Sequence, residues 1–261
     1  MKIVIENRNV NNIPVLDVYE LEPKEKRPII IMLHGANGCK EKYIERAYEF
    51  VKRGFFVTLF DAYGHGELKG ESETLDISNF RKNTIDSLLR VYFETSQYLN
   101  TIIDSYKDNA YADSSRVGLL GVSMGAHTIY YHILKEKNPN VKVAVPINGS
   151  PTWQSFIRRY ISNFPTGAFN FNEEDITKIE KYIENIEPLN YRENSREFPL
   201  LMINGEKDEL IPINNNRKSY SELLNTYKNK ELIKFIEYEG VGHTVTPQML
   251  DSAYEWIKKH I

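Results

Sequence analysis

Apolar residues in this chain fall into short unbroken runs, and between those runs lie longer stretches of helical period. Residues 28–33 (PIIIML) and 55–60 (FFVTLF) are continuous apolar or β-branched segments, the pattern of strands covered on both faces of a parallel sheet. The same signature returns at 117–120, 141–147, 199–203 and 232–238. Intervening segments predict helices over 42–52, 83–106, 124–135, 214–227 and 249–260. This alternation predicts an α/β fold, with a mostly parallel sheet and helices on both faces. Residues 3–5 and 13–19 add two short strands around a turn-like 9–12, an N-terminal hairpin.

Two intervals break the alternation. Residues 67–83 are polar and irregular, and residues 150–197 make a detour rich in aromatic side chains, among them Trp153, Phe156, Tyr160, Phe164, Tyr182 and Tyr191. Within the detour, Ile176, Ile179, Tyr182, Ile183 and Ile186 recur at helical spacing and predict an amphipathic helix. Pro165-Thr166-Gly167 separates it from an earlier helix expected near 153–162. The expected division is therefore a core of 1–149 and 198–261, with 150–197 as an inserted helical lid.

Composition narrows the function classes. With 261 residues, 41 % hydrophobic and 26 % charged, the chain suits a soluble globular protein with one sizeable core. A formal net charge of -3 gives no electrostatic reason to expect nucleic acid. The first apolar residues give way to Glu6-Asn7-Arg8 too soon for a signal peptide, and no apolar run nears membrane-spanning length. A cytoplasmic protein with no membrane partner is expected. The single cysteine, Cys39, has no internal disulfide partner, which agrees with a reducing compartment. No HExxH, CxxC or EF-hand pattern occurs, and His127 and His132, five residues apart, do not share a helix face. Neither a metal nor a cofactor is expected. The glycines at 64, 66 and 70 imitate a dinucleotide loop, but the third is one residue late and polar irregular sequence follows.

The chemistry concentrates at Gly121-Val122-Ser123-Met124-Gly125, which follows one apolar run and opens a helical stretch. A serine hydroxyl attacks only when a base takes its proton, so it must stand clear of the backbone on a sharp strand-to-helix turn. Such a turn crowds its neighbours, hence the flanking glycines. The partners should stand at other strand ends. His243, in Gly240-Val241-Gly242-His243-Thr244, follows the last strand and is the candidate base, while Asp208 follows the strand ending near 203 and is the candidate carboxylate. Glu206 and Glu209 are its neighbours and competitors. His65, in Asp61-Ala62-Tyr63-Gly64-His65-Gly66, is the rival base, read instead as a structural or substrate-side residue. The oxyanion donors expected are the backbone N–H groups of Met124 and of Ala36, in His34-Gly35-Ala36-Asn37-Gly38. Trp153, Phe156, Tyr63 and His65 are the candidates for substrate contact.

Taken together, HGxxG at 34–38, DxxGHG at 61–66, GxSxG at 121–125, GEKD ending at Asp208 and GxGH ending at His243 resemble the α/β-hydrolase superfamily. Within it the chain is similar to small bacterial carboxylesterases of the dienelactone-hydrolase and prolyl-oligopeptidase-like branch. The order Ser123, Asp208, His243 is that of the superfamily's triad. The resemblance implies a serine esterase with that triad, no cofactor and a small-molecule ester as substrate. Two positions depart from the pattern: Ala36, where a larger residue is common, and Tyr63, where an arginine is common. Serine in place of the cysteine usual in dienelactone hydrolases proper argues against their substrate. The alternatives are a thioesterase or acyl-aminoacyl-peptidase-like enzyme using the same triad, and a non-catalytic ligand-binding module on the same fold. A homodimer is compatible with the sequence, which does not specify oligomeric state.

Overall fold

The computed structural model describes residues 1–69, 83–154, 157, 173–194 and 197–261. Its strands are β1 (Ile3–Val10), β2 (Ile13–Glu20), β3 (Arg27–Leu33), β4 (Phe56–Phe60), β5 (Ala112–Val122), β6 (Val141–Ile147), β7 (Leu200–Gly205) and β8 (Ile233–Tyr238). They form one sheet in the order β1-β2-β4-β3-β5-β6-β7-β8. The hairpin β1-β2 is antiparallel and β2 meets β4 antiparallel; from β4 to β8 every pairing is parallel.

The central parallel strands carry continuous apolar runs because both of their faces are covered. Successive residues of β3 illustrate this: Ile29, Ile31 and Leu33 join one buried cluster while Ile30 and Met32 join another. The first cluster takes Leu99, Ile102 and Ile103 from α2 (Asn83–Asp104), Ile129 and Tyr130 from α3 (Met124–Tyr131), and Leu223 from the helix Ile213–Thr226. On the opposite face, the second takes Phe50 and Val51 from α1 (Ile44–Lys52) and Met249, Ala253 and Ile257 from the C-terminal helix Pro247–His260. The helix expected over 124–135 is α-helical to Tyr131 and then widens to a π turn over His132–Glu136, closed by a Lys137 N–H to His132 C=O bond of 3.0 Å.

Topology locates the functional end. After β3 the chain turns to one side to make β4, then crosses to the other to make β5, so the loops after β3 and β5 diverge and leave a crevice at the carboxyl ends of these strands. Among the described residues, no helix is long and apolar enough to cross a membrane.

The detour after β6 contains the expected amphipathic helix, α4 (Glu173–Ile186). Ile183 is fully buried and Ile176, Ile179 and Ile186 are partly so, whereas Tyr182 is exposed, a correction to its place in the apolar stripe. Its position, one residue before Ile183, turns the ring away from the face that meets α2 and α3. Phe156, Tyr160, Phe164 and the turn at 165–167 lie outside the described residues. Beyond α4, the helices Ile213–Thr226 and Pro247–His260 are α5 and α6.

Glu187, just past α4, is buried and accepts the backbone N–H groups of Trp153 and Gln154. Burial raises its pKa from 4.5 to about 7, with Glu184 and Glu222 adding to the rise and the two N–H groups opposing it. Between those pH values the folded chain holds more protons than the unfolded one, so stability falls as pH rises from about 4.5 through 7. Glu187→Gln keeps an acceptor for both N–H groups and removes the titration. The variant is expected to match wild type in thermal midpoint near pH 5 and exceed it at pH 8; parallel curves would exclude the linkage.

Candidate active site

Ser123 sits at the junction of β5 and α3 with φ 53° and ψ -112°, a conformation that costs an L-residue about 1–3 kcal/mol. Its N–H donates to the Ile147 C=O at 2.9 Å and its C=O accepts the His127 N–H at 3.0 Å, so both neighbouring elements hold it there. The glycines at 121 and 125 are required by contact. A Cβ on Gly121 would stand 2.6 Å from the Gly125 carbonyl oxygen, and one on Gly125 would stand 2.6 Å from both Cβ and O of Leu33. The first turn of α3 therefore lies directly on β3 and β5.

His243 Nε2 stands 2.9 Å from Ser123 Oγ, and its Nδ1 stands 2.7 Å from Asp208 Oδ2. The Asp208 side chain is wholly buried, and its second oxygen, Oδ1, accepts the N–H groups of Leu210 and Ile211 at 2.9 and 2.8 Å. One carboxylate oxygen is thus fixed by the loop, leaving the other for the imidazole. Of the neighbouring carboxylates, Glu206 accepts the Gly240 N–H at 2.9 Å, and Glu209 points to solvent.

The loops carrying Asp208 and His243 are closed upon each other. The Lys207 N–H donates to the Val241 C=O at 2.8 Å, and a Cβ on Gly205 would meet the same oxygen at 2.4 Å. Asn148, buried at the end of β6, accepts the Gly205 N–H at 3.1 Å and donates Nδ2–H to the Thr244 C=O at 2.6 Å. Sequence reasoning did not single out Asn148. Its position directly after an apolar strand was the available signal.

The loop after β3 lies on the other side of Ser123. A Cβ on Gly35 would be 3.5 Å from Ser123 Cβ, and the Gly38 N–H closes a turn on the Gly35 C=O at 3.0 Å. Ala36 and Asn37 form its centre, Asn37 at φ 58° and Ala36 exposed. Met124 is buried, and its N–H belongs to the first turn of α3, where amides have no intrahelical acceptor.

The remaining predicted residues fall into two groups. Tyr63 and His65 are buried in the loop after β4. The Tyr63 N–H donates to Thr95 Oγ1 at 3.0 Å and Arg90 lies 4.9 Å above its ring. His65 Nδ1 stands 3.0 Å from the Tyr63 C=O, and burial lowers its pKa. Trp153 is wholly buried against Tyr92, Phe93 and Tyr131, in the cluster that also contains Met124 and Ile183; Phe156 is outside the described residues. His127 and His132 are core histidines, lowered to about 4 by burial. His127 Nδ1 is 2.9 Å from the Ser150 C=O, and His132 Nδ1 is 3.1 Å from Ser96 Oγ.

Glu41, Asp61 and Glu67 bring carboxylate oxygens within 4.8 Å of one another, a grouping that resembles a metal site. The cation they hold is the ammonium of Lys40, 2.8 Å from Glu41, 2.9 Å from Asp61 and bonded to Glu67 as well.

A mostly parallel sheet with a serine on a strained elbow, and a histidine and aspartate on later strand ends, defines an α/β-hydrolase. The dienelactone hydrolase family model matches residues 16–255, and the chain belongs to that family, a family of hydrolases. It is 26 % identical over 263 residues to YitV of Bacillus subtilis (strain 168), which bears a provisional esterase name, across 99 % of this chain and 100 % of that one. It is 25 % identical over 261 residues to the esterase YjfP of Escherichia coli (strain K12), again across 99 % of this chain and 100 % of the other. The crystal structure of TT1662 from Thermus thermophilus superposes with a TM-score of 0.75 at 19 % identity, covering 99 % of this chain and 98 % of that one, and supports the fold.

Gly125→Ala tests the close approach. The added methyl has backbone on its far side at 2.6 Å, so the first turn of α3 must shift. A loss of about 1–3 kcal/mol is expected in urea unfolding. An unchanged midpoint would show that the elbow has slack.

Proposed function

We propose that the chain is a serine carboxylesterase acting on small to medium esters through an acyl-enzyme. The observation that carries this reading is the unbroken hydrogen-bonded line from Ser123 Oγ through His243 to Asp208, at 2.9 and 2.7 Å. In this reading His243 Nε2 takes the hydroxyl proton as Ser123 Oγ attacks the ester carbonyl. It returns the proton to the leaving alcohol, and water then repeats the cycle on the acyl-enzyme. Asp208 fixes the proton of His243 on Nδ1 and stabilises the imidazolium. The N–H groups of Ala36 and Met124 receive the oxyanion, a service worth several kcal/mol of barrier, on the order of 3 per donor.

Residues 150–197 act as the lid in this proposal. The supporting observation is that Trp153 and Ile183, both from that segment, share a buried cluster with Met124, next to the nucleophile. Tyr63 and His65 are assigned to the substrate side of the cleft, which their place in the loop after β4 supports, and Phe156 is proposed as a further substrate contact. Family membership and the esterase names of the two relatives favour oxygen esters over thioesters or amides.

The test is turnover of p-nitrophenyl esters from acetate to decanoate. Wild type is expected to hydrolyse the shorter members, and Ser123→Ala and His243→Ala to lose at least about 10³-fold in kcat. His65→Ala should lose far less. If wild type is inactive on the whole series, the esterase reading fails and a ligand-binding role gains; if Ser123→Ala keeps wild-type turnover, the nucleophile lies elsewhere.

A further inference from the structure

The mechanism above makes no use of a buried ammonium at the carboxyl end of the sheet, that of Lys40, which is only 2 % exposed. Burying an ion pair is a poor general route to stability, since well-packed apolar side chains of similar volume do as well. In some proteins a buried pair supplies instead a fixed relative position of the segments that carry it.

Those segments are the loops after β3 and β4, and they are joined at two points. At the first, His34 Nδ1–H donates to the Gly35 C=O at 2.8 Å while Nε2 accepts the Ala62 N–H at 3.0 Å. A ring nitrogen that accepts a backbone N–H carries no proton, so His34 is neutral, and burial lowers its pKa in agreement. At the second, Asp61 receives the Lys40 backbone N–H on Oδ1 and the Lys40 Nζ–H on Oδ2, both at 2.9 Å. The Asp61 side chain is itself wholly buried and takes a third bond, from the Glu67 N–H at 3.1 Å. Gly66, at φ 55°, leaves the room: a Cβ there would lie 2.1 Å from the carboxyl carbon of Asp61. The remaining Lys40 N–H groups go to Glu41 and Glu67.

Between the two points lies the turn 35–38. One end rests against Ser123, and the other leads within two residues to Lys40. We propose that Lys40 is a positioning residue for this turn: paired with Asp61, it sets where the Ala36 N–H meets the oxyanion. The proposal rests on the reading of Ala36 as an oxyanion donor. Lys40 touches no reacting atom in it.

An oxyanion donor acts on the transition state and leaves the ground state almost untouched. Loosening the turn therefore lowers kcat with KM held, and leaves the shape of the pH–rate profile unchanged. Lys40→Met strands the Asp61 carboxylate in the core, so the double variant Lys40→Met/Asp61→Asn, which removes both charges, accompanies it. In p-nitrophenyl acetate hydrolysis the folded double variant is expected to lose about 10- to 100-fold in kcat, with KM within about twofold. Its affinity for an aryl trifluoromethyl ketone, which forms a tetrahedral oxyanion with the serine, should fall by a similar factor. Retention of kcat and ketone affinity in a folded double variant overturns the proposal. So does a shifted midpoint of the pH–rate profile, which would mean that the charge acts on the base. Ser123→Ala in the same assay keeps the two ideas apart: if it retains wild-type turnover the esterase reading fails, and if it is inactive while the double variant keeps wild-type kcat, only the role of Lys40 fails.

Discussion

The geometry of the site descends from the close approach of α3 to the sheet at Gly121 and Gly125. Because Leu33 and the Gly125 backbone fill the space that two Cβ atoms would need, the chain can leave β5 and enter α3 only through a single sharply turned residue. That residue is Ser123, and its positive φ is the consequence. An isolated peptide would relax such a conformation. Here the bonds from Ile147 and His127, with α3 buried along its whole length, hold it.

In the proposed mechanism a rigid nucleophile is useful only if its partners are placed with equal care, and they come from loops, which are the mobile part of most folds. Each loop here is fastened to its neighbour. The loop after β7 is bonded to the loop after β8 through Lys207 and Val241, and Asn148 joins both to the end of β6. On the opposite side, His34 and Asp61 join the loop after β3 to the loop after β4. The two fastened pairs flank Ser123. Fixing dipoles before the reaction is what allows them to lower a barrier without reorganising during it.

Much of this was legible in the sequence because it depends on local signals. Strands β3, β4, β6 and β7 are buried on both faces and so read as unbroken apolar runs; the elbow reads from its glycines; Asp208 and His243 read from their places after strands. The first half of β5, Ala112-Asp113-Ser114-Ser115-Arg116, was missed because it is polar at the exposed amino end of the sheet. The π turn after Tyr131 left no trace, since hydrogen-bond register does not alter the apolar pattern. Trp153 was visible as an aromatic near a strand end, but whether its ring would face a cleft or a core depends on Tyr92 and Tyr131, far away in the chain. Lys40 was hidden most completely. A lysine before a helix reads as a surface residue, and its burial follows only from Asp61 and Glu67, carboxylates supplied by a later loop.

Another buried carboxylate, that of Asp17, makes the role of Asp61 easier to interpret. Asp17, on β2, is held by Arg8, Thr58 and Tyr106, and burial still raises its pKa against those partners. It lies at the seam where the antiparallel hairpin meets β4, and its partners come from β1, β4 and beyond the end of α2. Both carboxylates tie separate segments together: Asp17 at the hairpin, Asp61 at the loops after β3 and β4. Apolar contact resists separation but tolerates sliding, whereas a bidentate carboxylate bonded to named donors does not. At the hairpin this fixes strand register. At residues 35–40 the same device acts on a turn that rests against Ser123, where a displacement of an ångström would matter to the proposed chemistry.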